Sequence, residues 1–259
     1  MNRVKVVFVV LFVFVLLFCS CSSLPEKQSC TAREAEKIKV VIVTGGHDFD
    51  REPFFELFDS FENIEYIEAV QSDESELFED INGWDYDVIV LYHMTQEISP
   101  RRQENFVKLL EDGVGVVAIH HSIGAFRGWP EYKRIIGSKF YPEETQEGGV
   151  VHKALSYKHD VDFEVYVEDW QHPVTRGLRD FLIHDETYKG CLFEPGNHVL
   201  LTTNHPTSDE PVCWVRNYAN SRVCCIMMGH GGGAYFDQNY RRLVGEAMCW
   251  SAASGQRRR

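Results

Sequence analysis

Residues 86–122 read YDVIVLYHMTQEISPRRQENFVKLLEDGVGVVAIHHS. Tyr86 to Tyr92 is a run of β-branched and aromatic residues, the pattern of a buried strand. Ser99-Pro100 then opens a helix. Ser is the cap, and Pro stands where its missing N–H costs nothing. Phe106, Leu109, Leu110 and Val114 continue one apolar helical face, and Gly113 helps end it. Val114 to Ile119 (VGVVAI) is a second buried strand.

The same rhythm extends upstream. Ile38 to Thr44 (IKVVIVT) is a strand that stops at Gly45-Gly46. Pro53 to Phe61 is a short helix, and Ile64 to Val70 is another strand. Alternating β and α elements of this kind predict an α/β fold with a doubly wound, mostly parallel sheet. Ligands bind such sheets at the carboxyl ends of the strands. The second half is richer in β, with strands expected at Phe163 to Glu168, His198 to Thr203, Val212 to Tyr218 and Arg222 to Met228. A last amphipathic helix carries Tyr240, Leu243, Val244, Ala247 and Met248, with Asp237 as its cap.

The chain has 259 residues, 44% of them apolar and 25% charged, enough for one sizeable core. Its amino terminus departs from that average. Arg3 and Lys5 precede an unbroken apolar run from Val6 to Phe18, then Cys19-Ser20-Cys21. This is the layout of a secretory signal, too short to span well as a permanent helix. The exit resembles a bacterial lipobox, with Phe18 where Leu is commoner, so lipid is expected on Cys21. A plain cut after Ser20 and an uncleaved anchor are the alternatives. The expected organisation is a signal over 1–20, a polar tether over 21–37, one domain over 38–254 and a basic tail over 255–259. The protein would then sit on the cell envelope, held to the membrane through its lipid.

The net charge is −13. Loss of Arg3 and Lys5 takes the mature chain to about −15, a balance that excludes nucleic acid as a natural partner. Cys30, Cys191, Cys213, Cys224, Cys225 and Cys249 remain after the signal, and nothing in their spacing requires disulfides.

Four polar clusters stand where strands are expected to end: Gly45-Gly46-His47-Asp48, His120-His121-Ser122, His184-Asp185-Glu186-Thr187-Tyr188, and Gly229-His230-Gly231-Gly232-Gly233. Imidazoles and a carboxylate converging on one point make either a divalent metal site, zinc being one example, or a general acid/base set. The spacing is no metal signature, since H-E-x-x-H and H-x-H are absent. The G-x-S-x-G elbow is absent too, and no cysteine lies near the fourth strand. His152, His159 and His198 read as surface residues; His93 follows a strand and is harder to dismiss.

The segments VVIVTGGHDFD (40–50), GVGVVAIHHSIGAFRGWPEYKRIIGSKF (113–140), QHPVTRGLRDFLIHDETY (171–188) and PVCWVRNYANSRVCCIMMGH (211–230), with a closing helix ending at Trp250, resemble the ThuA-like, or trehalose-utilisation, family. The resemblance runs from about Ile38 to Ala252. It implies a flavodoxin-like sheet of the class I glutamine amidotransferase type with an elaborated second half. It places His120 where an amidotransferase keeps its cysteine, so glutamine hydrolysis is not expected. It maps a polar pocket onto His47, His120, Glu186 and His230, the candidate metal ligands. Trp129, Tyr132, Asp185, Tyr188 and Trp214 follow as wall or supporting residues. His121 stands where many relatives have a small residue, and Ala219-Asn220-Ser221 replaces a common Gly-containing turn.

The expected function is cleavage of a carbohydrate, a glycoside or keto-glycoside, with Glu186, His120 and Asp185 as catalytic candidates. His121, Trp129, Tyr132, Tyr188 and Trp214 are the substrate-binding candidates, since aromatic faces suit sugars. Trp129 and Trp214 read equally well as core. A non-catalytic sugar-binding lipoprotein is the alternative, and a structural envelope protein with a relict pocket is a weaker one.

Overall fold

A computed structural model describes residues 37–72 and 76–253. The described residues belong to one compact unit. The signal, Cys21, the tether to 36 and the tail from 254 lie outside the described residues. In chain order the strands are β1 (Ile38–Gly45), β2 (Ile64–Val70), β3 (Val88–His93), β4 (Gly115–Ile119), β5 (Ser138–Lys139), β6 (Thr145–Glu147), β7 (Val150–His152), β8 (Ser156–Val167), β9 (Phe181–Lys189), β10 (Leu192–Phe193), β11 (His198–Thr202), β12 (Pro211–Tyr218) and β13 (Ser221–Ile226). The helices are α1 (Arg51–Asp59), α2 (Pro100–Glu111), α3 (Pro130–Ile136), α4 (Gly232–Tyr235) and α5 (Gln238–Ala252).

Nine strands make one sheet in the order β2-β1-β3-β4-β13-β12-β11-β8-β9. The first five are mutually parallel and the last four antiparallel. The parallel part has the flavodoxin-like order, with β13 as its fifth strand. Every residue of β3 and β4 is buried, as continuous apolar runs in a doubly covered sheet require. Helix α5 lies on β3, β4 and β13. Its end comes so close to β4 that a Cβ on Gly115 would sit 2.5 Å from the Ser251 carbonyl oxygen. Glycine is required there by contact.

The expected caps form. Ser99 Oγ accepts the Arg102 N–H, and Asp237 accepts from both Asn239 and Tyr240. Helix α1 begins two residues before Pro53, behind Asp50. One expectation about placement is corrected. His184 to Tyr188 do not follow a strand; they lie inside β9, which runs on through them. A strand can carry this polar stretch because β9 pairs with β8 over most of its length, which satisfies the backbone while Asp185 and Glu186 find partners of their own.

Candidate metal centre

The ends of β4 and β13 lie side by side, with Ile119 opposite Ile226. Each is followed at once by chemistry. His120 leaves β4 with φ 51, a left-handed backbone seldom adopted outside glycine. Its side chain is fully buried, and Nδ1 lies 2.9 Å from the Met227 carbonyl oxygen. A carbonyl only accepts, so Nδ1 carries a proton; in the neutral form of the ring, the one that could bind a metal, Nε2 is then a bare lone pair. That lone pair faces Glu186 Oε2 at 3.0 Å and His230 Nδ1 at 3.2 Å, and His230 Nδ1 is 3.2 Å from the same Glu186 oxygen. Among the described residues, these three form the one His/Cys/Asp/Glu group whose ligand atoms converge closely enough to share an ion.

Two nitrogens and a carboxylate oxygen fit a divalent ion. Donors about 2.0–2.2 Å from a metal stand roughly 3.0–3.4 Å apart at octahedral to tetrahedral angles. The two-histidine, one-carboxylate composition is a common open site. The surroundings hold it in place. Asp185 is buried, and its two oxygens accept the N–H groups of Gly229 (2.5 Å) and His230 (2.9 Å). On the carbonyl side, Tyr92 donates to Gly229 (2.8 Å), Tyr235 to His230 (3.1 Å) and Tyr240 to Met228 (3.4 Å). The 228–230 backbone is thus gripped from both sides. Tyr188 stacks on His120 with ring centres 4.8 Å apart, and its hydroxyl lies 2.8 Å from Nε2.

The charges follow from these contacts. Burial works to raise the Glu186 carboxyl, but in the metal-free site hydrogen bonds from His120 and His230, when their rings are protonated towards it, outweigh that and hold it well below the usual carboxylate range. The same bond to Glu186 raises His230. Asp185 is raised by burial, opposed by His120 and the backbone N–H groups it accepts.

A family model described as trehalose utilisation matches residues 39–251. The chain belongs to the ThuA family. Among solved structures, a ThuA-like protein from Parabacteroides merdae is 20% identical with a TM-score of 0.71, over 84% of this chain and 90% of that one. A ThuA-like protein from Bacteroides uniformis is 19% identical with a TM-score of 0.60, over 88% and 95%. PurLQS from Thermotoga maritima, at 13% identity and a TM-score of 0.51 over 84% and 98%, places the ThuA fold beside the glutamine amidotransferase type. At these identities the likeness is one of fold. No curated protein matches the sequence.

In this ThuA chain two of the three ligand candidates, Glu186 and His230, border a cleft of about 490 Å³ whose walls also include His47, Met94, His121, Phe140, Leu155, Tyr157, His159 and Tyr188, with His120 buried behind it. His47 lines the cleft but is not part of the converging group. Its ring stacks on His121 at 4.5 Å, and its Nδ1 lies 2.6 Å from the Asp48 carbonyl oxygen. Asp185 is a support for the 229–230 backbone, since both its oxygens are taken. Trp214 is corrected to core: it is fully buried, and its indole N–H donates to the Ile136 carbonyl at 2.8 Å. Trp129 and Tyr132 do not reach the cleft. They stack on each other beside an adjoining pocket, and the Tyr132 hydroxyl donates to Ser122 O at 2.8 Å.

His159 was expected at the surface and instead joins the site. Its Nδ1 is 3.3 Å from Glu186 Oε1, the oxygen turned away from the other histidines, while half its side chain stays exposed. The cause is a β-bulge. The β8–β9 register slips between Lys158 and Val161, and Asp160 takes φ 54. Bulges re-aim side chains in this way, and no local sequence signal announces one here.

His93 is of another kind. It is wholly buried against Phe126, neither ring nitrogen has a partner, and burial pushes its pKa down to about 3. An unfolded histidine titrates near 6.5, so below that pH the unfolded chain binds a proton that the folded chain refuses. Stability should therefore fall by about 1.4 kcal/mol per pH unit between roughly 6.5 and 3 on this account. His121, also held neutral by burial, adds in the same direction. His93→Leu should flatten that acid limb in urea titrations run at successive pH values. An unchanged slope would show that His93 is not the group responsible.

Proposed function

We propose that this protein is a carbohydrate-cleaving enzyme of the cell envelope, acting on a glycoside or keto-glycoside with a divalent metal held by His120, Glu186 and His230. The observation that carries the reading is the convergence of those three donor atoms beside an aromatic-walled cleft at the strand ends, which Glu186 and His230 line. Glu186 is the only carboxylate among the cleft's lining residues. The two-carboxylate arrangement of common glycosidases therefore does not fit. A bound divalent ion would supply Lewis-acid polarisation of a substrate hydroxyl or carbonyl oxygen.

The chain's own groups have definite tasks in this reading. Met227 O fixes the His120 tautomer, and the Asp185 clamp fixes His230. Tyr157 and Phe140 offer ring faces to the apolar face of a sugar. Glu186 Oε1 and His159 Nδ1, at the exposed side of the group, take up and return a proton. Attachment through lipid on Cys21 belongs to the same proposal. A Cys21→Ser chain that fractionated with membranes as the wild type does would contradict it.

The test is a panel of disaccharides and their 3-keto derivatives, incubated with chelated protein and with protein reloaded with zinc, manganese or nickel. Product formed only by reloaded protein is expected. Saturable sugar binding with no product under any condition would instead favour a sugar-binding lipoprotein.

A further inference from the structure

The cleft has a neighbour. A second pocket of about 440 Å³ shares Arg127, Phe140 and Pro142 with it. Cations line this second pocket, and all but one are neutralised. Lys133 pairs with Glu194, Arg134 with Glu131, and Lys139 with Glu147. Arg127 has no carboxylate partner among the described residues. Its guanidinium lies 5.8 Å from the centre of the Phe140 ring, and NH1 donates to the Gly124 carbonyl at 3.3 Å. Among the described residues the Nε–NH2 edge of the fork makes no bond. In a chain of net charge −13, an arginine left unpaired at the junction of two pockets is out of keeping with its surroundings.

The backbone that carries it is sharply bent. Phe126 has φ 47, an outlier for a bulky residue. It is held there by its N–H on Thr95 O (2.9 Å) and by its buried ring against Tyr132 (5.2 Å). This bend turns Arg127 outward while Phe126 stays in the core. The candidate ligand His120 and Arg127 thus stand at the two ends of one short segment whose residues from His120 to Phe126 are all buried.

We propose that Arg127 binds a carboxylate of the substrate, so that the sugar taken by this site is an acidic one whose charged group lies at the junction of the two pockets. A planar guanidinium edge matches a carboxylate in two parallel hydrogen bonds, which a neutral sugar cannot offer. The inference rests on the carbohydrate reading of the cleft.

The probes are methyl glucuronide and methyl glucoside, titrated into the metal-loaded protein and followed by calorimetry and by the arginine Nε–H signals in NMR. The glucuronide should bind about tenfold or more tightly than the glucoside and shift the Arg127 signal. Arg127→Gln should abolish that preference, the glucuronide then binding no more tightly than the glucoside. Arg127→Lys should restore part of it, since charge is kept but the fork is lost. Equal affinities in the wild type, or a preference that survives Arg127→Gln, would overturn the assignment and leave the carbohydrate reading intact. Binding of neither glycoside would count against the carbohydrate reading itself, and the Arg127 proposal would fall with it.

Discussion

Replacing His120 with alanine is expected to lower divalent-metal affinity by at least about a hundredfold and to stop turnover. Changes to groups that merely orient a ligand already cost tenfold to a hundredfold, and His120 is proposed as a ligand itself. The ring is wholly buried, and its free nitrogen faces both other ligands. Alanine also leaves the Met227 carbonyl without its donor, at a cost of about 1–3 kcal/mol, so the thermal midpoint should fall. His120→Asn separates the two effects. Asn tolerates the left-handed backbone at this position better than most residues. It should fold more stably than the alanine variant and still fail to hold metal. Calorimetric titration with zinc reads the affinity directly. Wild-type affinity in either variant would remove His120 from the site.

The second large effect is expected at Asp185, which touches neither cleft nor ligand atom. Its carboxylate accepts two backbone N–H groups in a buried setting, and charged hydrogen bonds are worth about 1.5–3 kcal/mol each. Asp185→Ala should therefore cost about 3–5 kcal/mol in urea unfolding. Asp185→Asn keeps one acceptor oxygen and turns an amide towards the other N–H, so about half that loss is expected. Both should weaken metal binding about tenfold to a hundredfold, because His230 is then fixed only by the tyrosine hydroxyls on its other side. If both variants kept wild-type metal affinity, the 229–230 clamp would be structural only.

How far the residues disclosed this arrangement depends on the kind of signal each one carries. The parallel half was legible because β3 and β4 are unbroken apolar runs separated by a well-capped helix. Periodicity and caps are local properties. His120 and His230 were legible for the same reason, as His120 directly follows β4 and His230 stands four residues past the end of β13. Asp185 and Glu186 were recognised as candidates but placed after a strand. They lie within β9, where a polar run gives no periodic sign of strand. His159 was missed because its direction is set by a bulge, and a one-residue slip reverses which face a side chain takes. Trp214 is a wall candidate on residue type and reads equally well as core. Its role is decided by a carbonyl 78 residues away in the chain, which only the tertiary fold brings near.

The central claim is that His120, Glu186 and His230 hold a divalent metal. Its most direct test is elemental analysis of wild-type protein purified without chelator, beside the His120→Ala, His230→Ala double variant prepared in the same way. About one equivalent of a divalent transition metal in the wild type, and a trace in the variant, is the predicted result. Wild-type protein without metal, and with no rise in thermal midpoint on reloading with zinc, manganese or nickel, would contradict it.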